Sequence, residues 1–127
     1  MTLEEVVENR IRQSQTLADM AYVLQMLFEN HSISDDGHLI SIRALVGHIN
    51  GMRIEIYPKE HPPAHFHIRG GDINASFAIE DGRCLEGTIG GREQALVRFW
   101  YKNARHTLIE IWNHTRPSDC QVGPIYE

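Results

Sequence analysis

Apolar side chains at Leu3, Val7, Ile11, Leu17, Leu24 and Phe28 recur at helical spacings behind a Thr2-Leu3-Glu4-Glu5 capping box. That pattern predicts one amphipathic helix over residues 3–29, blurred in its middle at residues 13–15. Residues 30–37 (NHSISDDG) read as a polar loop. Residues 41–49 read as a short helix capped by Ser41 and stopped by Asn50-Gly51, in preference to a strand beginning in the alternating stretch 39–43.

From residue 52 the period changes from helical to two. MRIEIY places Ile54 and Ile56 on one side and Arg53, Glu55 and Tyr57 on the other. AHFHI repeats the pattern, with Phe66 and Ile68 on one face and His65 and His67 on the opposite one. A third run over residues 72–80 groups Ile73, Ala75, Phe77 and Ile79, leaving Asn74, Ser76 and Ala78 across from them. Asp81-Gly82 then turns the chain into a fourth strand over residues 83–89. A two-residue loop there would mix the faces, whereas a three-residue loop with Gly82 in the left-handed conformation sets Phe77 opposite Leu85 and Ser76 opposite Glu86.

Gly90-Gly91 ends the sheet. Leu96, Phe99 and Trp100 mark a helix over residues 92–102, and Leu108, Ile111 and Trp112 a second over residues 107–114, with an irregular tail after Thr115-Arg116-Pro117. The predicted class is α+β: an antiparallel four-stranded meander with C-terminal helices on one face and an N-terminal amphipathic helix. Residues 1–36 form an accessory helix and loop, and residues 37–127 the core domain with its tail.

Composition narrows the functional classes. A chain of 127 residues with 42% hydrophobic content holds one core. Cys84 and Cys120 stand apart with no CxxC partner, which points to a reduced, cytoplasmic protein and against a zinc ribbon or a disulfide framework. No stretch approaches the ~20 apolar residues needed to span a bilayer, so no membrane role is expected. A net charge of −5 argues against a broad electrostatic grip on nucleic acid and makes RNA the lesser expectation as a partner. A protein partner or a second copy of the chain would dock through the amphipathic N-terminal helix.

The chemistry concentrates in EHPPAHFHI. If helices cover the face bearing Ile54, Phe66, Phe77 and Leu85, the other face collects Glu55, His65, His67, Ser76 and Glu86, and His61 is offered by a loop that Pro62-Pro63 stiffen. Three uses stay open. His61, His65 and His67 would ligate a divalent metal, zinc foremost, with Glu55 or Glu86 as fourth ligand or base. Alternatively His65 and His67, with Glu55 and Glu86, serve as metal-free acid and base in cleaving a phosphodiester next to a 2′-hydroxyl. In the third use they are strand histidines paired with glutamates at the surface. Arg98, Lys102 and Arg105, with Arg92 nearby, form a basic helix stripe that could meet phosphate but reads first as a solvated face.

GMRIEIYPKEHPPAHFHI, ASFAIEDGRCLEG and a helical segment ending LIEIWN together resemble the domain-of-unknown-function 4160 family of small bacterial proteins, over about residues 51–113. At the position of Ala64 that family usually shows a third proline, a departure that touches loop stiffness and no functional group. The resemblance implies a compact bacterial domain that partners in two-gene toxin–antitoxin-like arrangements. It brings no settled activity, and it marks His61, His65 and His67 as the positions to test. A non-enzymatic protein-interaction module is the alternative function.

Overall fold

The computed structural model describes residues 1–42, 51–57, 62–115 and 123–125. Helix α1 (Leu3–Gln13) begins where the Thr2 hydroxyl accepts the Glu5 N–H at 3.2 Å and donates to the Glu5 carboxylate. The single helix predicted over residues 3–29 is two: the chain leaves helical geometry at Ser14, and α2 (Leu17–Asn30) starts from a second cap, with Thr16 accepting the Asp19 N–H at 3.1 Å. The apolar spacing explains the break. Ile11 and Leu17 are six residues apart, which at about 100° per residue puts them on different faces of one continuous helix. Arg10 spans the joint, donating to Asp19 at 2.9 and 3.3 Å and to the buried Ser14 hydroxyl.

The expected polar loop over residues 30–37 instead contains the start of a hairpin. Strands β1 (His31–Ile33) and β2 (Leu39–Ser41) pair antiparallel, with Ile33 opposite Leu39 around a turn closed by Ser34 and His38. Polar side chains on both three-residue strands hid them. Leu39–Ser41 is therefore strand, Ile42 is not helical, and residues 43–49 of the predicted helix lie outside the described residues.

The four-stranded meander is present as expected: β3 (Arg53–Glu55), β4 (His65–Gly70), β5 (Ile73–Ala78) and β6 (Cys84–Thr88), in that order and all antiparallel. The β5–β6 register is right at Ser76, which faces Glu86, and wrong at Phe77, which faces Cys84 and not Leu85. Leu85 is a bulge. The loop is one residue longer than predicted, because Ala78 pairs with Arg83 through an N–H to carbonyl bond of 2.9 Å. The bulge restores the faces that the longer loop would have exchanged. Gly82 has the expected positive φ of 77°, and a Cβ there would strike the Tyr101 ring at 2.6 Å.

Helix α3 (Gly91–His114) is one helix of 24 residues where two were predicted. Its buried positions run unbroken through Leu96, Val97, Trp100, Tyr101, Ala104, Thr107, Leu108 and Trp112. The polar stretch around Ala104 suggested an interruption, but that small side chain sits in the core and carries the stripe across. Phe66 stacks on Phe77 at 5.5 Å and meets the edge of Trp100 at 5.8 Å, so β4 and β5 are locked to α3 by aromatic contact. Met20, Leu24, Leu27 and Phe28 of α2 join the same cluster. The tail is irregular where it is described, and Asn113 binds Ile125 through both its amide nitrogen and its amide oxygen, at 2.9 and 2.8 Å. Among the described residues no helix is long and apolar enough to cross a membrane.

One buried polar atom gives the fold a pH dependence. His31 Nδ1 is shut from solvent with no hydrogen-bond partner among the described residues, and burial lowers the pKa of this imidazole. The unfolded chain therefore takes up the proton first as pH falls below the ordinary value of about 6.5. Stability from a neutral His31 is present above that pH and is lost on acidification. The melting temperature should fall between pH 7 and 5, and by less in His31→Gln; equal falls in the two proteins would remove His31 as a cause.

Candidate functional site

Strand pairing brings one residue from each strand into line on the face away from α3. Glu55 stands opposite His67, His67 opposite Ser76, and Ser76 opposite Glu86. The next row on that face is Arg53, Arg69, Asn74 and Thr88, and on the other side His65 faces Ala78. The pleat thus puts His65, His67 and Arg69 of one strand on one surface.

The imidazole pair is ordered. The rings of His65 and His67 lie 4.9 Å apart, edge to face at 72°, and the Tyr57 ring lies 5.0 Å from His67. His65 Nδ1 is 2.7 Å from the Pro63 carbonyl oxygen. A carbonyl only accepts, so Nδ1 carries the hydrogen and the neutral ring keeps its lone pair on Nε2. His65 is only 3% exposed, Ser76 5% and Ala78 0%, so the polar face is closed in at this end. A cavity of about 170 Å³ remains there, lined by Pro63, His65, Ser76, Leu85 and Glu86. Next to it a groove of about 330 Å³ is lined by His67, Arg69, Asn74, Ser76 and Glu86.

The carboxylates differ in their surroundings. Glu55 is half-buried, with Oε1 3.1 Å from Arg69 Nε and 3.9 Å from Arg53 Nε. The 3.1 Å contact is an ion pair without hydrogen-bond geometry, since neither atom finds a properly angled partner among the described residues. Glu86 is exposed on the edge strand. His61 lies outside the described residues, so the structure tests only two of the three proposed histidine ligands. Among the described residues no three His, Cys, Asp or Glu side chains converge into a metal cage. The residues overlooked in the sequence are Arg69 and Asn74, although the same alternation that selected His65 and His67 continues to Arg69.

The basic stripe of α3 divides. Arg92 donates to the Phe28 and His31 carbonyls, both at 2.5 Å, at the end of α2 where a cation is favoured by the helix dipole. Arg105 Nε donates to the Glu80 carbonyl, while Arg98 and Lys102 stay exposed. A wider cleft of about 620 Å³ lies on the far side of α3, lined by Arg12, Gln15, Lys102, Asn103 and His106 among others. Its polar groups engage one another, Arg12 with Asn103 and His106 with Glu110, each at 2.7 Å. The sheet face, where two imidazoles converge, is the better candidate.

No curated protein and no solved structure matches the chain. A family model does match, and it covers the strand that carries the two histidines. Residues 51–113, from the start of the meander to the last turn of α3, match the model of the family described as Domain of unknown function (DUF4160).

Proposed function

We propose that the polar sheet face binds a divalent metal, zinc foremost, through His65 and His67 with His61 as third ligand, and that the protein uses this site to cleave RNA. The observation that carries the reading is the 2.7 Å bond from His65 Nδ1 to the Pro63 carbonyl, next to a second imidazole 4.9 Å away. Ligating histidines characteristically donate their other ring N–H in this way, which fixes the tautomer and aims Nε2. The antiparallel strand is a stiff platform for two such rings. A bound metal would supply a water of lowered pKa. Glu86, one strand beyond Ser76 on the same face, would take a proton from such a water. The resemblance noted in the sequence supplies the setting that we infer, a bacterial cytoplasmic protein acting in a toxin–antitoxin-like pair.

Metal analysis of protein purified without a histidine tag tests the proposal. About one metal per chain is expected, lost in His65→Ala and in His67→Ala together with RNA cleavage. Failure of zinc to bind at micromolar concentration ends the metal reading, and cleavage that survives both substitutions ends the catalytic one.

A further inference from the structure

Strand β4 carries a guanidinium to the same face as its two imidazoles, and Glu55 holds that guanidinium in a particular way. The Glu55 Oε1 and Arg69 Nε atoms are both shut from solvent and face each other at 3.1 Å, yet 36% of the Arg69 side chain remains exposed along the groove. The carboxylate therefore engages the inner nitrogen. The two terminal nitrogens make no hydrogen bond to the described residues. An ion pair at Nε leaves the outer fork to the groove, and a guanidinium fork matches two oxygens of a phosphate.

The rest of the groove suits a phosphate ester. Asn74, opposite Arg69, brings a neutral amide, and Ser76, opposite His67, a hydroxyl. Glu86 stands at the other wall, where a second anion would be repelled and a hydroxyl donor accepted. About 330 Å³ is near the lower end of the volumes that hold small ligands, room for a single nucleotide unit.

We propose that this groove is a ribonucleotide subsite in which Arg69, steered by Glu55, grips a phosphate while Glu86 accepts a hydrogen bond from a neighbouring sugar hydroxyl. The choice of ligand rests on the RNA-cleaving reading of the sheet face, but Arg69 and Asn74 are distinct from the proposed metal ligands His61, His65 and His67. Arg69 is a binding residue here, and Glu55 a positioning one.

The test is a titration of the full chain, stripped of metal with chelator, against inorganic phosphate and against ribo- and deoxyribo-dinucleotides of one sequence, followed by amide chemical shifts. The ribodinucleotide should bind most tightly, with shifts centred on Arg69, Asn74 and Glu86. Arg69→Gln should weaken it at least about tenfold, the loss expected for one charge-assisted hydrogen-bonded pair. Because Arg69→Gln strands the Glu55 charge and could unfold the sheet, Arg69→Lys is the second variant. It keeps a cation for Glu55 and lacks the fork, so it should fold and still bind several-fold more weakly. Zinc binding should be unchanged in Arg69→Lys, which separates this proposal from the metal site. Binding by Arg69→Lys equal to wild type overturns the phosphate assignment. Equal affinity for the ribo and deoxyribo ligands overturns the role of Glu86, and phosphate binding as tightly as the dinucleotide overturns a nucleotide subsite.

Discussion

Phe66→Ala should lower the free energy of unfolding by about 3–5 kcal/mol, the usual cost of truncating a fully buried aromatic side chain. The Phe66 ring has no exposed surface and sits between Phe77 at 5.5 Å and Trp100 at 5.8 Å. Its removal leaves a void that two rings on different elements border, one on β5 and one on α3. Neither can move in without abandoning its own contacts, so the high end of the range is expected. Phe66→Leu, which keeps most of the volume, should cost about 1.5 kcal/mol. The position matters beyond stability because Phe66 separates His65 from His67 in a two-residue period. Pulling Phe66 inward is what turns both imidazoles outward. Chemical denaturation measures the first effect, and zinc affinity of the still-folded Phe66→Leu protein, expected to stay near wild type, controls for the second. A loss below about 1 kcal/mol in Phe66→Ala would mean that the ring does not anchor the strand.

That coupling also explains why the shared face of these side chains was legible in the sequence while other parts of the fold were not. A strand with one face buried has a period of two, so identifying Phe66, Ile68 and Phe77 as core assigns the direction of every neighbour. Glu55, His67, Ser76 and Glu86 accordingly share one face, which alternation alone foresees, while their standing in one cross-strand row comes from the β3–β4 and β4–β5 registers. The Leu85 bulge was not foreseeable from alternation, because an extra loop residue and an extra strand residue cancel on the face beyond them. Helix boundaries failed for another reason. The Ser14 break does show in the apolar spacing, in the six-residue step from Ile11 to Leu17, but one uninterrupted helix passes over it, and a side-chain network of Arg10 with Ser14 and Asp19 then holds the joint. Ala104 failed in the opposite sense: a small residue among polar ones looks like a gap but packs in the core at 1% exposure. Arg69 lies on the face that alternation assigns to it, but its pairing with Glu55 joins two strands whose register is a tertiary property.

Gly87→Ala should be the most damaging single-methyl change in the sheet, because strain and collision coincide there. Gly87 has φ of 110°, where side chains are disfavoured by roughly 1–3 kcal/mol. A Cβ at this position would lie 2.1 Å from the Asn74 carbonyl oxygen and 2.5 Å from the Ala75 Cα, both backbone atoms of β5 that no rotamer change can move. Overpacking of this kind adds about 1–3 kcal/mol, giving an expected total of about 2–6 kcal/mol. Gly37→Ala is the control, since Gly37 also has a positive φ, 88°, but nothing lies within 4 Å of its Cβ position. It should show the conformational cost alone. The damage at Gly87 should also be local. In the four-stranded sheet β6 pairs only with β5, so separating the two strands releases β6 while β4 stays packed on β5. Hydrogen exchange should then show lost protection over Cys84–Thr88, with Phe66 and the middle of α3 still protected. Glu86 leaves the row with β6 and the groove loses a wall, so ribodinucleotide binding should fail while His65 and His67 keep their zinc. Equal destabilisation by Gly37→Ala and Gly87→Ala, or zinc lost along with the nucleotide, would show that the close β5–β6 contact does not shape the groove independently of the imidazole pair.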